Sequence, residues 1–548
     1  MSKNLWITLG VMVVSLVAAT AAVVGLFSTK ILVLVIATAF LGAAMVLSGN
    51  TRLFILYCLI FLAPLNIKKD FIYLAHLAGA SSFEFHISDP FLLVLVIYLV
   101  RDLIRGNSRP FRFPPALLLW VTLMAGGVVS ILFNPMPLPP AHEVFRMARW
   151  LLWMLVLINE VVRRQQFLHV AYALLVAAAF QTFFAYLEVA GITFGLENYG
   201  QMSKQGIENL GSVTLKGDRS VHRIGGIMIH PNVLGAYLAM HSGIALALLF
   251  TPIRWLLKLI IAALFISFIP IIVLTLSRAA WVDLAVVVFG VTLLTYTNQY
   301  ARLHYTVLRT AILIGIVIIG VAFSGKIITR LTQSAPGAVD TRWDLIDTAR
   351  KMIAVRPWFG FGLNTITFYQ PPYTKQGGVT KMTILYGKPG NWPVVHNSYL
   401  LVLVEQGIVG FAIWMLLHVV IIVTGFRNLR LRDPTLHALN VGLLAGYCAI
   451  MIDSLVSFFD RLQQGVLIWT FAALIFAIRY WRRENELNAG ILNVNRVIDQ
   501  QHISSSIDVG RRGNFLHGTS SQEWLPSRTH AGFRRFKLPP ATKADGFE

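Results

Sequence analysis

The chain has 548 residues, 56% of them hydrophobic and 13% charged, with a mean hydropathy of +0.68. That is too little charge and too much apolar surface for a soluble globular protein of this length, and it predicts a polytopic membrane protein. A net charge of +21 would point to nucleic acid in a soluble chain. Here the excess of Lys and Arg in cytoplasmic loops accounts for most of it, and no nucleic-acid partner is expected.

Apolar runs of about 17 to 25 residues, the length that crosses a hydrocarbon core, recur along the chain. They fall at 5–27, 30–48, 51–65, 90–104, 114–133, 144–161 and 166–190, then at 228–250, 256–276, 279–296, 308–324, 398–424, 437–457 and 463–480. The expected fold is all-α, a bundle of about 12 to 14 transmembrane helices with one large, partly helical periplasmic loop. The run at 51–65 is the shortest and stops against Pro64. The first run lacks a small-residue cleavage site and reads as a retained helix. Cys58 and Cys448 both fall inside spans, which excludes a disulfide framework or a cysteine metal cluster.

Basic clusters occupy alternate short connections: Arg101, Arg105, Arg109 and Arg112; Arg163 and Arg164; Arg254 and Lys258; Arg302 and Arg309; Arg427, Arg430 and Arg432; Arg479, Arg482 and Arg483. They mark the cytoplasmic side, with both termini inside; Lys68 and Lys69 run weakly against this register. The intervening connections then lie outside, and the longest runs from Gly325 to Asn397. It carries Lys326, Arg330, Arg342, Arg350, Lys351, Arg356, Lys375, Lys381 and Lys388 against Asp340, Asp344 and Asp347. A loop beyond about 60 residues is exempt from the orientation rule, so its charge needs another cause. An anionic substrate and the headgroups of anionic lipids both fit.

Within that loop the pattern from Val339 to Arg356 reads as one amphipathic helix, capped by Asp340 or Thr341 and stopped by Pro357. Arg342 would then sit in the first turn, where backbone N–H groups and the helix dipole favour a phosphate; pairing with Asp344 is the plain alternative. Gly360 and Gly362, set among aromatics, imply a tight turn against the membrane face. His396 stands where the chain re-enters the membrane, and an imidazole with a pKa of about 6.5 can take a proton from a hydroxyl. Asn397 adjoins it, and Glu405 follows inside the span, where a carboxylate must be paired or face a polar cavity. Arg223 precedes one span, in Arg223-Ile224-Gly225-Gly226 before His230-Pro231-Asn232, and Arg278 occupies the tight Ser277-Arg278 turn between two others. Such arginines suit bidentate phosphate binding, although a helix-end arginine reaching the headgroups would look the same. No metal-ligand cluster stands out.

Arg223…Gly225…Pro231-Asn232, Ser277-Arg278, Arg342-Trp343 with Pro357…Gly360…Gly362, and His396-Asn397-Ser398…Leu400…Glu405…Gly407…Gly410 together resemble the O-antigen ligase and polysaccharide polymerase superfamily of bacterial inner-membrane glycosyltransferases. The resemblance covers roughly residues 170 to 480. It implies a metal-independent, cofactor-free, inverting transferase in the bacterial inner membrane with its site facing the periplasm. The donor would be an oligosaccharide on undecaprenyl diphosphate and the acceptor a glycan or lipid A-core, with membrane lipids and other polysaccharide-assembly proteins as further partners. It also implies that Arg223 and Arg342 grip the diphosphate, that Arg278 supports them, that His396 activates the acceptor hydroxyl, and that Asn397, Glu405, Gly360 and Gly362 support the site.

The expected organisation is N-terminal helices over 1–165, a ligase-like core over 166–483 and a disordered cytoplasmic tail over 484–548. The N-terminal spans and the tail exceed the minimal family core, which favours a polymerase over the lipid A-core ligase. A transporter of lipid-linked sugars would also need buried arginines, and it predicts broken helices and related halves. A protein O-oligosaccharyltransferase would share every residue named and differ in its acceptor. An intramembrane hydrolase is disfavoured, since Gly-x-Ser-x-Gly is not evident.

Overall fold

The computed structural model describes residues 49–74, 79–106, 110–192, 212–215, 219–228, 230–297, 305–332, 338–374, 393–458, 461–462 and 465–487. The expected spans at 5–27 and 30–48, the basic residues Lys375, Lys381 and Lys388 and almost all of the expected tail lie outside them. By its contacts the chain divides into Met1–Glu484 and Asn485–Glu548, and the architecture below is that of the first unit.

It is a bundle of helices. In chain order these are α1 (Thr51–Leu62), α2 (Asp89–Ile104), α3 (Leu117–Phe133), α4 (Leu138–Glu160), α5 (Arg164–Val189), α6 (Pro231–Leu249), α7 (Trp255–Leu274), α8 (Arg278–Leu294) and α9 (Thr306–Ala322). Then come the loop helices α10 (Ser324–Thr332), α11 (Ala338–Val355) and the single turn α12 (Ile366–Tyr369), followed by α13 (Ser398–Asn428) and α14 (Pro434–Asp453). A last helix, α15, covers 466–487. Every apolar run expected within the described residues is a helix. Six of them, α5 to α8, α13 and α14, are long and apolar enough to cross a membrane by length and composition.

Two short antiparallel hairpins are additions to the expected all-α plan: β1 (Lys68–Phe71) with β2 (Phe83–His86), and β3 (Ser212–Leu215) with β4 (Arg219–His222). The first is closed by charge. Lys68 bonds Glu84 at 2.5 Å, and Glu84 also meets His86 at 3.2 Å. Burial pushes the Glu84 carboxyl up, but the hydrogen bond from His86 and the charge of Lys68 outweigh it and hold the group well below the usual carboxylate range.

α6 and α14 form the core and are almost wholly buried. Small residues let them touch: a Cβ on Gly243 would lie 2.6 Å from the Gly442 carbonyl oxygen, and one on Gly442 would lie 2.4 Å from that of Gly243. Between apolar helices, where lipid tails compete equally for apolar surface, this backbone approach supplies the packing energy. α7 and α8 pack around the pair, so the ends of α6, α7, α8 and α14 that bear Pro231, Leu274, Arg278 and Asp453 gather at one end of the bundle.

α13 is the exception to regularity. Its 31 residues would reach roughly 46 Å at 1.5 Å each, about ten residues more than a hydrocarbon core of about 30 Å requires. The single span expected over 398–424 is in fact broken at Gly407, with φ 65° and ψ −168°, a conformation open essentially to glycine alone. The loop fills the break. Phe361 and Gly362 donate backbone hydrogen bonds to the Val404 and Glu405 carbonyls at 2.9 and 2.8 Å, and Ile408 and Val409 donate to those of Pro357 and Trp358 at 2.8 and 3.2 Å. The fit leaves no room for side chains: a Cβ on Gly407 would sit 2.3 Å from the Trp358 carbonyl, and one on Gly360 (φ 67°) 2.5 Å from that of Glu405.

We therefore expect Gly407→Ala to lower the stability by about 1–3 kcal/mol and to free the 356–364 turn. Thermal unfolding in detergent with limited proteolysis of the loop checks this, and an unchanged melting temperature would refute the interlock.

Candidate active site

The site forms where that end of the bundle meets the loop. Arg223 follows β4 and is buried. Its Nε donates to the Thr275 carbonyl at 2.8 Å and its Nη2 to Asn232 Oδ1. The segment that carries it is stapled by Glu188 near the end of α5. One Glu188 oxygen meets His222 Nε2 at 2.8 Å, and the other accepts the N–H groups of Gly225 and Gly226 at 3.1 and 2.6 Å.

Arg278 opens α8 behind its cap, Ser277, whose hydroxyl accepts the Ala280 N–H at 3.4 Å. The turn into it is tight enough to force Leu276 to φ 50°, the left-handed region, which costs an ordinary residue about 1–2 kcal/mol. Arg342 lies on α11. That helix starts earlier than expected, at Ala338, so Asp340 and Thr341 lie inside it and do not cap it, and Arg342 falls beyond the first turn. At that position the helix dipole, which acts within the first turn, gives Arg342 no particular preference for phosphate.

What recommends Arg342 is its company. Arg223, Asn232, Arg278, Asp283, Arg342 and Asp453 line one cavity of about 390 Å³. Arg278 and Arg342 have exposed side chains, whereas Asp283 and Asp453 are buried. Arg342 lies within electrostatic reach of Arg278 and Asp453. The cavity thus holds three guanidiniums against two carboxylates, and its net charge suits an anion.

His396 lies within electrostatic reach of Arg342. Its Nδ1 is 2.9 Å from the Val394 carbonyl oxygen. A carbonyl can only accept, so Nδ1 carries the hydrogen and the lone pair of the neutral ring is on Nε2. The ring stands edge-on to Phe458 at 5.1 Å. Loss of hydration, and then the positive charge of Arg342, lower its pKa from the usual 6.5. His230 has the opposite tautomer, with Nδ1 accepting the Asn232 N–H at 3.1 Å. Burial, Arg223 and His396 hold its pKa at about 4, so it is neutral at ordinary pH.

Asn397 does not line the cavity. It caps α13 by accepting the Leu400 N–H at 2.9 Å, and its amide donates to the Leu455 carbonyl at 2.9 Å. Ser398 N–H reaches the Ser454 carbonyl at 2.9 Å, which ties His396 to the end of α14. Gly360 and Gly362 act at the break in α13, and neither lines the cavity.

Glu405 is also away from the cavity lining. It is wholly buried and pairs with Arg461 at 3.1 Å; Arg461 lies 3.6 Å from Glu143, and Glu143 pairs with Arg146 at 2.5 Å. This buried chain of alternating charge satisfies the requirement that an intramembrane carboxylate be paired. Glu143 and Arg146 belong to α4, which begins at Leu138, six residues before the expected span. Glu188, Asp283, Asp453 and Arg461 were not singled out from sequence. The first three are carboxylates within or at the ends of apolar runs, the same signal that drew attention to Glu405.

Arg461→Ala is expected to destabilise the protein by about 3–5 kcal/mol, because it leaves two buried carboxylates without their shared cation, and Glu405→Gln by less. Chemical unfolding of the two variants in detergent checks the order.

Residues 261–415 match the family model for O-antigen ligase. The matched segment contains Arg278, Arg342, His396 and Glu405, and Arg223 lies before it. No curated protein matches the chain. Over that segment the chain is similar to the O-antigen ligase family.

Proposed function

We propose that the protein is an inverting glycosyltransferase of the bacterial inner membrane that transfers or polymerises undecaprenyl-diphosphate-linked glycans at the periplasmic face. The observation that carries this reading is the convergence of Arg223, Arg278 and Arg342 on one cavity, beside a histidine whose Nε2 is left as a base.

The chemistry follows from those groups. The arginines hold the diphosphate and stabilise the charge that gathers on it as the bond to the anomeric carbon lengthens. His396 Nε2 takes the proton of the acceptor hydroxyl, whose oxygen attacks the anomeric carbon from the face opposite the diphosphate. The new glycosidic bond forms as the old C–O bond breaks, configuration inverts, lipid diphosphate departs, and the imidazolium returns its proton to water. Arginine charge does in this scheme what a divalent cation does in metal-assisted transfer.

The break at Gly407 is the kind of discontinuity a transporter of lipid-linked sugars would show. Its backbone groups, however, are taken by the 356–364 turn, which supports a structural reading of the break over a substrate path. The extra N-terminal spans and the long tail expected from the sequence favour a polymerase over a ligase, and a protein O-oligosaccharyltransferase would use the same residues.

The decisive experiment is reconstitution in vesicles with a purified lipid-linked repeat unit, offering more repeat unit, lipid A-core or a pilin-like protein as acceptor. His396→Ala is expected to lower turnover by about 10²–10⁴, and Arg342→Ala to lower kcat while raising the donor KM. Full activity in either variant removes the assigned role, and a product with retained configuration removes direct displacement.

The pH profile gives a separate check. His396 must be unprotonated to act, and its pKa is lowered from 6.5. Activity therefore rises with pH through a midpoint below 6.5, and a midpoint above 7 would assign the base elsewhere.

A further inference from the structure

Asp283 has no place in that scheme, yet it lines the same cavity. It lies on α8, five residues after Arg278, and it is fully buried. Neither carboxylate oxygen has a hydrogen-bond partner. Asp453 is close enough for the two charges to interact, but Asp453 is engaged by the Ser457 hydroxyl and lies within reach of Arg342. A buried carboxyl with both oxygens unused is costly, and a wall that must bind only a diphosphate has no use for one, since its oxygens accept hydrogen bonds where the phosphate offers none.

The guest that reconciles the two halves of the cavity carries an anion at one end and neutral O–H donors at the other. A glycosyl diphosphate is such a molecule. We propose that Asp283 is the sugar-recognising group of this cavity: its carboxyl accepts hydrogen bonds from the hydroxyls of the glycosyl residue next to the diphosphate, while the arginines hold the phosphates. This rests on the transferase reading above and adds to it a determinant of donor specificity. The position agrees with the chemistry: Arg278 and Asp283 stand on the same helix and both line the cavity, so one guest can meet both. Asp283 thus sets which sugar is accepted, and Arg278 at the start of the same helix meets what all donors share.

Binding of two probes to the purified full chain in lipid nanodiscs tests this. The probes are bare undecaprenyl diphosphate and undecaprenyl diphosphate carrying the glycan extracted from the expressing cells. Asp283→Ala is expected to bind the bare lipid at least as tightly as the parent and the glycan-bearing lipid about tenfold more weakly, the worth of about one buried hydrogen bond. Retained binding of the bare lipid also shows that the variant is folded. Asp283→Asn keeps the shape and one acceptor oxygen, and an intermediate loss is expected. Equal weakening of both probes, or no change in either, overturns the assignment to sugar. If the parent protein binds neither probe, the transferase reading itself fails, which is a separate outcome from failure of the role of Asp283.

Discussion

The structure turns on the break in α13 at Gly407. A helix broken in an apolar setting strands backbone N–H and C=O groups, and each group left unsatisfied in hydrocarbon costs several kcal/mol. Four hydrogen bonds from the 356–364 turn meet that demand. The net gain of about 1 kcal/mol per bond matters less than the penalty avoided, so the turn and the helix stay together. Because α11 runs directly into the turn and His396 lies two residues before α13, the interlock fixes the helix that bears Arg342 relative to the chain that bears His396. The described stretch of the basic loop from 338 to 374 is thereby tied to the bundle.

The same turn is bound from its other side. Asn134, at the end of α3, donates to the Phe361 carbonyl at 2.8 Å and accepts the Tyr369 hydroxyl at 2.8 Å. Asn364, held at φ 61°, donates to the carbonyls of Ala80 and Pro139 at 2.8 and 2.9 Å. The N-terminal helices therefore act as a buttress for the loop. The chain Glu405–Arg461–Glu143–Arg146 does the same with charge, joining α4 to α13 through the segment that follows α14. Removing Arg461, the central cation, would leave Glu405 without the one cation the chain gives it, which is why such chains resist change at their centre.

The helices of the described residues are legible because an apolar run of membrane length has few other fates, and the arginines and His396 stand out as candidates because ionisable groups at the ends of such runs are costly and few. Gly360 and Gly362 are likewise legible as a tight turn. What the turn binds is not: a glycine in an apolar run, as at Gly407, reads equally as close helix packing. Nor is the placement of Arg461 beside Glu143 and Glu405, since long-range pairing leaves no local pattern. The start of α11 was misjudged because Ala338 and Val339 are as compatible with helix as with loop, and Asp340 resembled a cap. The short β hairpins were missed because four-residue strands fall below what alternation can establish.

The three arginines are not equivalent, and the difference bears on how the proposed transfer would be accelerated. Arg223 is buried and pinned by Thr275 and Asn232, with Glu188 fixing the backbone beneath it. Arg278 and Arg342 are exposed, on helices that approach the cavity from the bundle and from the loop. A pinned donor is already oriented before charge develops on the diphosphate, so it stabilises the transition state without reorganisation. An exposed one must give up water and side-chain freedom on binding, and it returns less for the same contact. In the proposed transfer Arg223 would then contribute mainly to turnover, while Arg278 and Arg342 would contribute to capture of the donor as well as to turnover. The anchoring of the 222–226 segment by Glu188 then matters to catalysis even though Glu188 itself touches nothing that reacts.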